Sequence, residues 1–407
     1  FIWSGFVIAF VMGAVVNKTN FCTMGAVSDM VNMGDAGRFR AWMLAITIAI
    51  VGVTLLEVMG MATPGQSFPP YRGGQLIWAE NILGGLLFGI GMTLGSGCGN
   101  KNLIRAGAGN IKSFMVLAII GVIAYFMVNP FPDTDATLMS LLFYDWIRPL
   151  AVDAGASQDL GSLLSRESAS TFRMVIGALI ALVLLIYIFR SAEYRSSFDN
   201  ILSGLVVGVS VVAAWYITSN VVFTIDEETY KLQQYVQEWE FLADSNEGKP
   251  ADTRSLAAQS YTFINPVGQL VGYLGAGFNK ALLTFGLLAA LGVMAGSFFW
   301  SIVSKSFRIE WFASLGDFVN HFIGAILMGF GGTLALGCTI GQGITGVSTL
   351  AAGSFITLIA IIFGSAMTMK IQLYKMVYDD ASFFSSLVTG LADLKLLPSS
   401  MRKHDPV

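Results

Sequence analysis

The sequence predicts an all-α polytopic membrane protein, in which inverted repeats with broken or re-entrant helices surround a central pathway. Three observations lead to this fold class. The 407 residues are 55% hydrophobic and only 12% charged, and that charged fraction is about half of what a soluble protein carries. One glycine-rich stretch occurs twice in the chain, and small polar residues interrupt the apolar runs at several points.

The composition sets bounds on the architecture. The mean hydropathy is +0.68, and the apolar windows supply roughly eight to ten hydrophobic elements, because a bilayer core about 30 Å thick needs about 20 apolar residues per helix. The three cysteines cannot all pair and none is spaced as Cys-x-x-Cys, so neither a disulfide framework nor a zinc module is indicated. The chain begins with Phe1 inside an apolar run, so we expect the natural N-terminus to lie upstream.

The predicted first half, residues 1–221, begins with an apolar helix over residues 1–16. A polar run at residues 17–25 interrupts the apolar sequence and contains Cys22. Unpaired backbone at membrane depth is tolerated only where protein or a water-filled cavity covers it, so Cys22 is expected on a broken or re-entrant segment. Further spans are predicted, in order, at residues 41–61, 79–99, 113–128, 171–189 and 201–221.

Two stretches are predicted to lie outside the membrane. Residues 130–171 are acidic and indicate a loop with a short interfacial helix near residues 141–147. Residues 222–263 form an acidic insertion, within which residues 226–254 hold eight acidic and three basic residues. Apolar residues at helical spacing in this insertion predict an amphipathic helix.

The predicted second half, residues 264–375, repeats the plan of the first. Its spans are expected at residues 281–303, 318–339 and 350–369. Residues 376–407 form a C-terminal tail, which is apolar but short.

The repeated stretch covers residues 84–99 and 324–339, and the two copies align without a gap at an offset of 240 (338 minus 98). Each copy is a glycine-rich apolar helix that leads to a cysteine, Cys98 or Cys338. An internal repeat in an apolar chain is typical of a transporter built from two halves with its site at their junction. The identical pairs are Gly84/Gly324, Leu87/Leu327, Gly89/Gly329, Gly91/Gly331, Thr93/Thr333, Leu94/Leu334, Gly97/Gly337 and Cys98/Cys338.

Basic residues near the ends of the spans predict the orientation of the copies. On this assignment the first copy runs inward and the second runs outward, so the copies are antiparallel. Inverted repeats that end in non-helical glycine-rich segments place those ends near the midplane, where helix termini can present their dipoles to an ion. Cys98 and Cys338 are then expected to face each other across the pathway. The pairs assigned to cytoplasmic turns are Arg38 with Arg40, Arg190 with Arg195, Lys305 with Arg308, and Lys370 with Lys375.

Helix packing alone offers another interpretation of the same residues. Glycines four residues apart, such as Gly85 and Gly89, let helix backbones approach closely. A lone cysteine in a membrane helix often acts only as a small hydrophobe. Most of the glycines keep the packing interpretation, whereas the repeat favours a functional one for Cys98 and Cys338, since they occupy the same point of both copies.

The remaining polar residues suit an anion that carries an exposed sulfur atom. Backbone amides at glycine-rich turns and hydroxyls such as those of Thr339, Thr345 and Ser348 can bind anions. Lys101 and Arg105 are interpreted either as cytoplasmic anchors or as groups that guide an anion. A thiol is a weak donor with a soft, polarisable surface, so it suits a terminal sulfur better than a phosphate. A sulfur oxyanion fits both requirements.

Three stretches resemble the signatures of the YeeE/YedE family of sulfur-compound transporters: NFCTMGA at residues 20–26, GSGCGN at 95–100 and GCTIGQG at 337–343. The resemblance covers both halves. It implies a multi-pass protein of the bacterial inner membrane that imports thiosulfate or a related sulfur-containing anion, and that has three cysteines along the route. The predicted pathway residues are Cys22, Cys98, Cys338, Asn100, Lys101, Arg105, Thr339 and Gln342.

The expected partners are thiosulfate or a similar sulfur oxyanion, the lipid bilayer and, as a candidate, a cytosolic sulfur-carrier protein. We expect no cofactor, metal site, nucleic-acid partner or enzymatic activity. Since no nucleotide-binding loop occurs, ATP hydrolysis by this chain is not expected. Proton coupling, a channel and dependence on a carrier protein all stay open.

Two other functions would use the same cysteines. A soft-metal transporter could bind Cu(I) through thiols and the 18 methionines, although no Met-x-x-Met or Cys-x-Cys pairing occurs near the three cysteines. A membrane sulfurtransferase would carry a persulfide on a cysteine whose thiolate is stabilised by nearby positive charge. Cys98, near Lys101 and Arg105, comes closest to that requirement.

Overall fold

The computed structural model describes residues 2–225, 228–232, 257–378 and 381–405. Within these residues, eight helical stretches are long and apolar enough to cross a membrane. The strands described form two short two-stranded pairs. These findings confirm the predicted class, an all-α polytopic membrane protein.

The first half is a series of long helices separated by short helical segments. The π-helical turn Asp29–Met33 continues the second helix, and the turn Ser140–Tyr144 precedes the seventh helix at the position of the predicted interfacial helix. In chain order the α-helices are α1 (Ile2–Thr19), α2 (Thr23–Ser28), α3 (Gly37–Val58), α4 (Trp78–Leu94), α5 (Gly99–Gly107), α6 (Ile111–Val128), α7 (Asp145–Ile147), α8 (Leu160–Leu164), α9 (Ala169–Phe189), α10 (Ala192–Ser196) and α11 (Phe198–Ser219).

The second half contains one helix that the sequence did not predict, α12 (Ile264–Gly275), which packs against α6. With only 12 residues, it is too short to be recognised as a membrane span. A π-helical segment, Gly341–Gly346, separates two of the later long helices. The remaining α-helices are α13 (Phe285–Val303), α14 (Leu315–Leu334), α15 (Ala352–Val377) and α16 (Phe383–Asp393).

The strands lie in the connecting segments. Strand β1 (Gln75–Leu76) pairs antiparallel with β2 (Val152–Asp153), with Gln75 opposite Asp153. Strand β3 (Val222–Ile225) pairs antiparallel with β4 (Glu228–Lys231). Within the predicted amphipathic helix at residues 226–254, residues 228–231 form a strand instead, and residues 226–227 and 233–254 lie outside the described residues.

The two copies of the repeat have the same secondary structure in opposite directions. Helices α4, α5 and α6 correspond to α14, the Gly341–Gly346 segment and α15. Near the start of α4, Gly84 approaches Gly331 and Ala335, whereas near its end Gly91 approaches Gly324. Since Gly331 and Ala335 follow Gly324 along the chain, α4 and α14 run antiparallel, and the predicted inversion is confirmed.

The repeated glycines allow this close approach. A Cβ at Gly324 would lie 2.5 Å from the amide nitrogen of Gly95, and one at Gly331 would lie 2.5 Å from the amide nitrogen of Phe88. Such distances are not compatible with a real side chain, so the two backbones meet directly. The packing interpretation of these glycines is confirmed.

The first helix of each copy also packs against the third helix of the other copy. Helix α4 contacts α15, where a Cβ at Gly89 would lie 2.3 Å from the carbonyl oxygen of Ile361. Helix α14 contacts α6, where a Cβ at Gly329 would lie 2.9 Å from the Cβ of Ile123. The four helices therefore form one interlocked unit around the two breaks that follow α4 and α14.

The basic residues used for orientation gather at one end of the molecule. Arg38, Lys305 and Arg308 line the same cavity, and Arg40 lies over the ring of Tyr187, next to the turn that follows α9. Lys370 belongs to the end of α15 that packs against α2. The positive-inside rule assigns this end to the cytoplasm, and we call it the inner end and the opposite one the outer end.

Replacing Gly331 by valine should disrupt the contact between α4 and α14. Overpacking of this kind costs about 1–3 kcal/mol, and valine at a direct backbone contact should lie at or above that range. We expect a lower yield of folded protein and a lower unfolding temperature in detergent, followed by intrinsic fluorescence.

The matched control is Gly275→Val at the end of α12, where a Cβ would meet no atom within 4 Å. If Gly331→Val unfolds at the same temperature as the wild type and the control, the close approach of α4 and α14 is wrong.

Candidate functional site

Cys22 lies in the first break. Helix α1 ends at Thr19, and Asn20 adopts a left-handed conformation with φ of 53°, which asparagine tolerates better than most residues. Cys22 is then extended and forms the N-cap of α2, with its sulfur accepting a hydrogen bond from the amide of Gly25 at 3.4 Å. The predicted broken segment is confirmed.

Cys98 and Cys338 lie in two further breaks that share one backbone geometry. After α4 and α14 end, the matching residues Ser96 and Leu336 both take positive φ, 55° and 59°. A bulky residue such as leucine rarely adopts this conformation, and it is retained where the surrounding structure requires it. Cys98 forms the N-cap of α5, and Cys338 precedes the Gly341–Gly346 segment.

A side-chain amide holds each of these two breaks. Asn102 donates to the carbonyl of Gly97 at 2.9 Å, and Gln342, at the matching position, donates to the carbonyl of Ala335. Buried carbonyl groups at a helix end need such partners. Gln342 was predicted as a site residue, whereas Asn102 was missed, although the repeat offset would have pointed to it.

Two of the three cysteines are capped in the same way. The sulfur of Cys338 accepts a hydrogen bond from the amide of Gly341 at 3.4 Å, and the sulfur of Cys22 accepts one from the amide of Gly25. In both cases the donor lies three residues after the cysteine, whereas the side chain of Cys98 makes no capping hydrogen bond. Because the sulfur acts as the acceptor, its own S–H group remains able to donate to another partner.

The thiols follow one another from the outer to the inner end. All three are buried, with exposed fractions of 6% for Cys22, 2% for Cys98 and 0% for Cys338. Cys98 lies within electrostatic range of both other thiols. Cys338 follows α14, which runs outward, whereas Cys98 follows α4, which runs inward. Cys98 is thus the middle member of the series.

An inner cavity of about 900 Å³ reaches Cys22. The cations on its wall are Arg38, Lys101, Arg105, Lys305 and Arg308.

These cations differ in how they are held at the cavity. The guanidinium of Arg105 is fixed by a hydrogen bond to the carbonyl of Ser96 at 2.7 Å, and Arg38 pairs with Asp29. No carboxylate in the described part of the chain pairs with Lys101. The cavity therefore joins Cys22 with the predicted residues Lys101 and Arg105 and adds Arg38, which sequence reasoning had used only for orientation.

The other predicted site residues are buried and incompletely paired. Among the described residues, no atom hydrogen-bonds with Asn100 Oδ1, Thr339 Oγ1 or Gln342 Oε1. Thr339 adjoins the thiol of Cys98, although its hydroxyl makes no hydrogen bond of normal geometry. A buried polar atom without a partner costs about 1–3 kcal/mol, so these three atoms are open to hydrogen bonds from water or from a bound substrate.

Two residues with buried hydroxyls were missed by sequence reasoning, Tyr71 in the outer loop and Thr262 next to Gly341. Both are buried, and neither hydroxyl has a hydrogen-bond partner in the described segments. Local composition gave no signal, because Tyr71 lies in a proline-rich loop and Thr262 in the acidic insertion. In the described residues, no group of three or more His, Cys, Asp or Glu side chains could hold a metal ion.

Comparison with known proteins places these features in a family. A model described as sulphur transport matches residues 18–367, a range that includes all three cysteines. The chain is similar to the thiosulfate transporter TsuA of Escherichia coli (strain K12), with 24% identity over 388 residues, covering 89% of this chain and 92% of that protein. It is also similar to the thiosulfate transporter TsuA of Spirochaeta thermophila, with 22% identity over 375 residues, covering 89% and 97%.

The arrangement of the thiols predicts how each is labelled. In variants that keep a single cysteine, Cys22 should react with a membrane-impermeant maleimide added from the inner side, because it lines the inner cavity. Cys338 should resist the reagent from both sides, because it is fully buried. The measurement is gel-shift labelling in vesicles of known orientation. Ready labelling of Cys338 from the inner side, with Cys22 protected, would contradict the order.

Proposed function

We propose that this chain, which belongs to the sulphur-transport family, imports thiosulfate or a related sulfur-containing anion across the bacterial inner membrane. The observation that carries the proposal is the series of three buried thiols that leads to a cationic inner cavity. The named relatives are thiosulfate transporters, and the described helices make this a multi-pass membrane protein.

The thiols suit transient contacts with a terminal sulfur. The sulfurs of Cys22 and Cys338 each accept a hydrogen bond from a backbone amide, so their S–H protons can point toward the anion and donate weakly to its soft sulfur atom. Conduction requires binding that is favourable enough for entry and weak enough for release. A series of weak donors meets that condition better than one strong cationic site, and Cys338, Cys98 and Cys22 would contact the anion in that order.

Positive charge stands at the inner end of this route. Lys101 and Arg105 follow Cys98, whereas the matching residues after Cys338 are Gly341 and Thr345. An anion leaving the thiols would therefore meet cations only as it enters the inner cavity, where cationic walls raise the local anion concentration. Net import would follow from the concentration gradient, or from removal of sulfur by a cytosolic carrier protein that meets the anion at this cavity.

The buried polar atoms between the thiols would complete the route. The hydroxyl of Thr339, next to Cys98, can donate to an oxyanion as it passes. Asn100 and Gln342 present amide groups whose oxygens have no partner among the described residues, and these can accept from a thiol while the anion is absent. These roles explain why unpaired polar atoms persist in an apolar interior.

A sulfurtransferase is the second candidate, because Cys22 lies within electrostatic range of Arg38 and Lys101 in the inner cavity. Cations stabilise a thiolate. A Cys22 thiolate that attacked the terminal sulfur of thiosulfate would form a persulfide and release sulfite. Mass spectrometry of the protein during turnover decides between the two: an unmodified Cys22 supports a transporter, and a trapped persulfide supports the enzyme.

The function is tested by uptake of labelled thiosulfate into cells that lack other sulfur importers. Sulfate, sulfite and selenium analogues serve as competitors. We expect thiosulfate uptake that sulfate inhibits only weakly, because sulfate has no terminal sulfur for the thiols. Sulfate uptake equal to that of thiosulfate would contradict the role of the thiols.

Replacing Cys98 or Cys338 by serine or by alanine should reduce thiosulfate uptake at least about tenfold while leaving membrane abundance unchanged. A hydroxyl is harder and hydrogen-bonds more strongly than a thiol, so serine cannot replace it. Cys22→Ser should be tolerated better, since the cavity around Cys22 admits water. Wild-type uptake by a Cys98→Ala/Cys338→Ala double variant would reduce both cysteines to packing residues.

Lys101→Met should lower thiosulfate uptake several-fold at low salt, and Lys101→Arg should retain most of it, because the proposed role needs charge. The deficit should shrink as ionic strength rises and screens the remaining cations. The matched control is Lys112→Met, which removes a lysine that pairs with Asp317 at 2.8 Å and does not line the cavity. Equal uptake by Lys101→Met and Lys112→Met would leave Lys101 as an anchor only.

A further inference from the structure

We infer that the ion pair between Arg38 and Asp29 is a latch that fixes the short helix α2 and thereby positions Cys22 at the wall of the inner cavity. The inference rests on the proposed function, in which Cys22 is the last thiol that the anion meets. It assigns to Arg38 a positioning role in addition to its charge, and it gives Asp29 a part in transport.

Helix α2 cannot fix its own position. It has only six residues, and helices shorter than about 12–15 residues are marginal on their own. Cys22 forms its N-cap, and the π-helical turn that begins at Asp29 continues it. The place of the Cys22 sulfur therefore depends on what the other residues of this segment contact.

On one side, α2 packs against α15 through apolar residues. Val27 lies in a cluster with Ala366 and Met369, and these contacts hold the segment close to α15. Apolar contacts are non-directional, so they alone would allow a short helix to rotate or slide. A directional contact has to come from another neighbour, and α3 also packs against α2.

Arg38, in the first turn of α3, supplies the directional contact. Its Nε and Nη2 both donate to the carboxylate of Asp29, and the distance from Nη2 to Oδ1 is 2.5 Å. The Asp29 side chain is only 5% exposed. A bidentate pair of this kind adds geometric specificity as well as energy. The pair therefore fixes the rotation of α2 and of the π-helical turn relative to α3.

The third nitrogen of the same guanidinium lies against Gly25. A Cβ at Gly25 would lie 2.3 Å from Nη1 of Arg38 and 2.9 Å from its Cζ, so the guanidinium rests on the backbone of α2. The amide of Gly25 donates to the sulfur of Cys22 at 3.4 Å. One side chain thus contacts α2 near both of its ends, and its contact with Gly25 is one hydrogen bond away from the thiol.

The latch lies at the wall of the inner cavity. Arg38, Cys22 and Gly25 all line this cavity. The Arg38 side chain is 35% exposed, whereas that of Asp29 is buried. An anion in the cavity therefore meets the guanidinium but not the carboxylate. The pair can hold Cys22 in place while one side of Arg38 stays open to the anion.

The alternative role for Arg38 is charge alone. In that case a lysine would replace it, and loss of the Asp29 carboxylate would make the cavity more positive and leave uptake undiminished. The latch predicts the opposite for both changes. Lysine is a point charge without the planar fork of arginine, and asparagine offers one acceptor oxygen where the carboxylate offers two.

The test measures thiosulfate uptake into membrane vesicles by Asp29→Asn and Arg38→Lys, normalised to membrane abundance. Both variants keep every cationic charge of the cavity. We expect Vmax to fall several-fold with little change in KM, because the anion still binds at the other thiols but passes Cys22 slowly. Asp29→Glu keeps the carboxylate and should retain more of Vmax than Asp29→Asn. The matched control is Asp35→Asn, which alters an exposed aspartate whose Oδ1 accepts from the amide of Gly37 at 2.7 Å.

A second measurement follows Cys22 directly in folded, purified protein that carries Cys98→Ala and Cys338→Ala. Adding Asp29→Asn or Arg38→Lys should speed labelling of Cys22 by an impermeant maleimide several-fold, because the thiol is only 6% exposed while α2 is fixed. The control substitution should leave the labelling rate unchanged.

The outcomes separate the latch from the proposed function. Wild-type Vmax and an unchanged labelling rate in both variants would show that the latch is wrong, and the proposed function would stand. A higher KM at constant Vmax would make the pair part of anion binding and would also overturn the positioning role. If the wild type takes up no thiosulfate, the proposed function fails, and the labelling rates still decide whether the pair holds Cys22.

Discussion

The structure depends on how a helix can end inside an apolar interior. Every break leaves carbonyl and amide groups without helical partners, and the bilayer offers no water to satisfy them. After α4 and α14, the side chains of Asn102 and Gln342 donate hydrogen bonds to carbonyl groups that the end of the helix leaves without a helical partner. At Cys22 and Cys338, the sulfur accepts a hydrogen bond from the backbone amide three residues later. The residues that supply hydrogen bonds to the free backbone groups at the breaks are thus the same residues that line the proposed route.

The two copies of the repeat share one backbone plan but differ in the charge of the residues that follow the cysteine. The two copies superpose in sequence and in the left-handed residues Ser96 and Leu336, yet cations follow only Cys98. At the outer end the corresponding positions are Gly341 and Thr345, which are small and neutral. Inversion places these two environments at opposite ends of the proposed route. The electrostatics of the proposed route therefore change from neutral donors at the outer end to cations at the inner end, although the backbone plan of the two copies is the same.

The repeat made much of this arrangement predictable from the sequence. Eight identical pairs at a constant offset and the basic turns were enough to predict antiparallel copies, and the polar run around Cys22 was enough to predict a break. Helix α12 was not predicted from the sequence because its 12 residues are too few for a membrane span. Thr262 was not predicted because its hydroxyl lies against Gly341, which is far away in the chain. The predicted domain boundaries and the role of the acidic insertion stay predictions.

The two ends of the molecule are closed to different degrees, and their loops explain why. The loop before α4 holds the outer end through Arg72 and Glu57, whose side chains are 4% and 17% exposed. The loop before α14 holds the inner end through backbone hydrogen bonds and the pair of Arg308 with Glu310, of which Arg308 is 77% exposed.

Exposed pairs contribute about 0–1 kcal/mol, whereas breaking a buried pair leaves a costly unpaired charge. The outer ion-pair network includes Asp159, where burial raises the pKa but hydrogen bonds from Ser157 and Ser162 and the charge of Arg72 outweigh it and hold the pKa at about 2. Asp159 therefore stays charged at any physiological pH. The outer loop is therefore held by charge pairs that are costly to break, while the inner cavity already reaches Cys22.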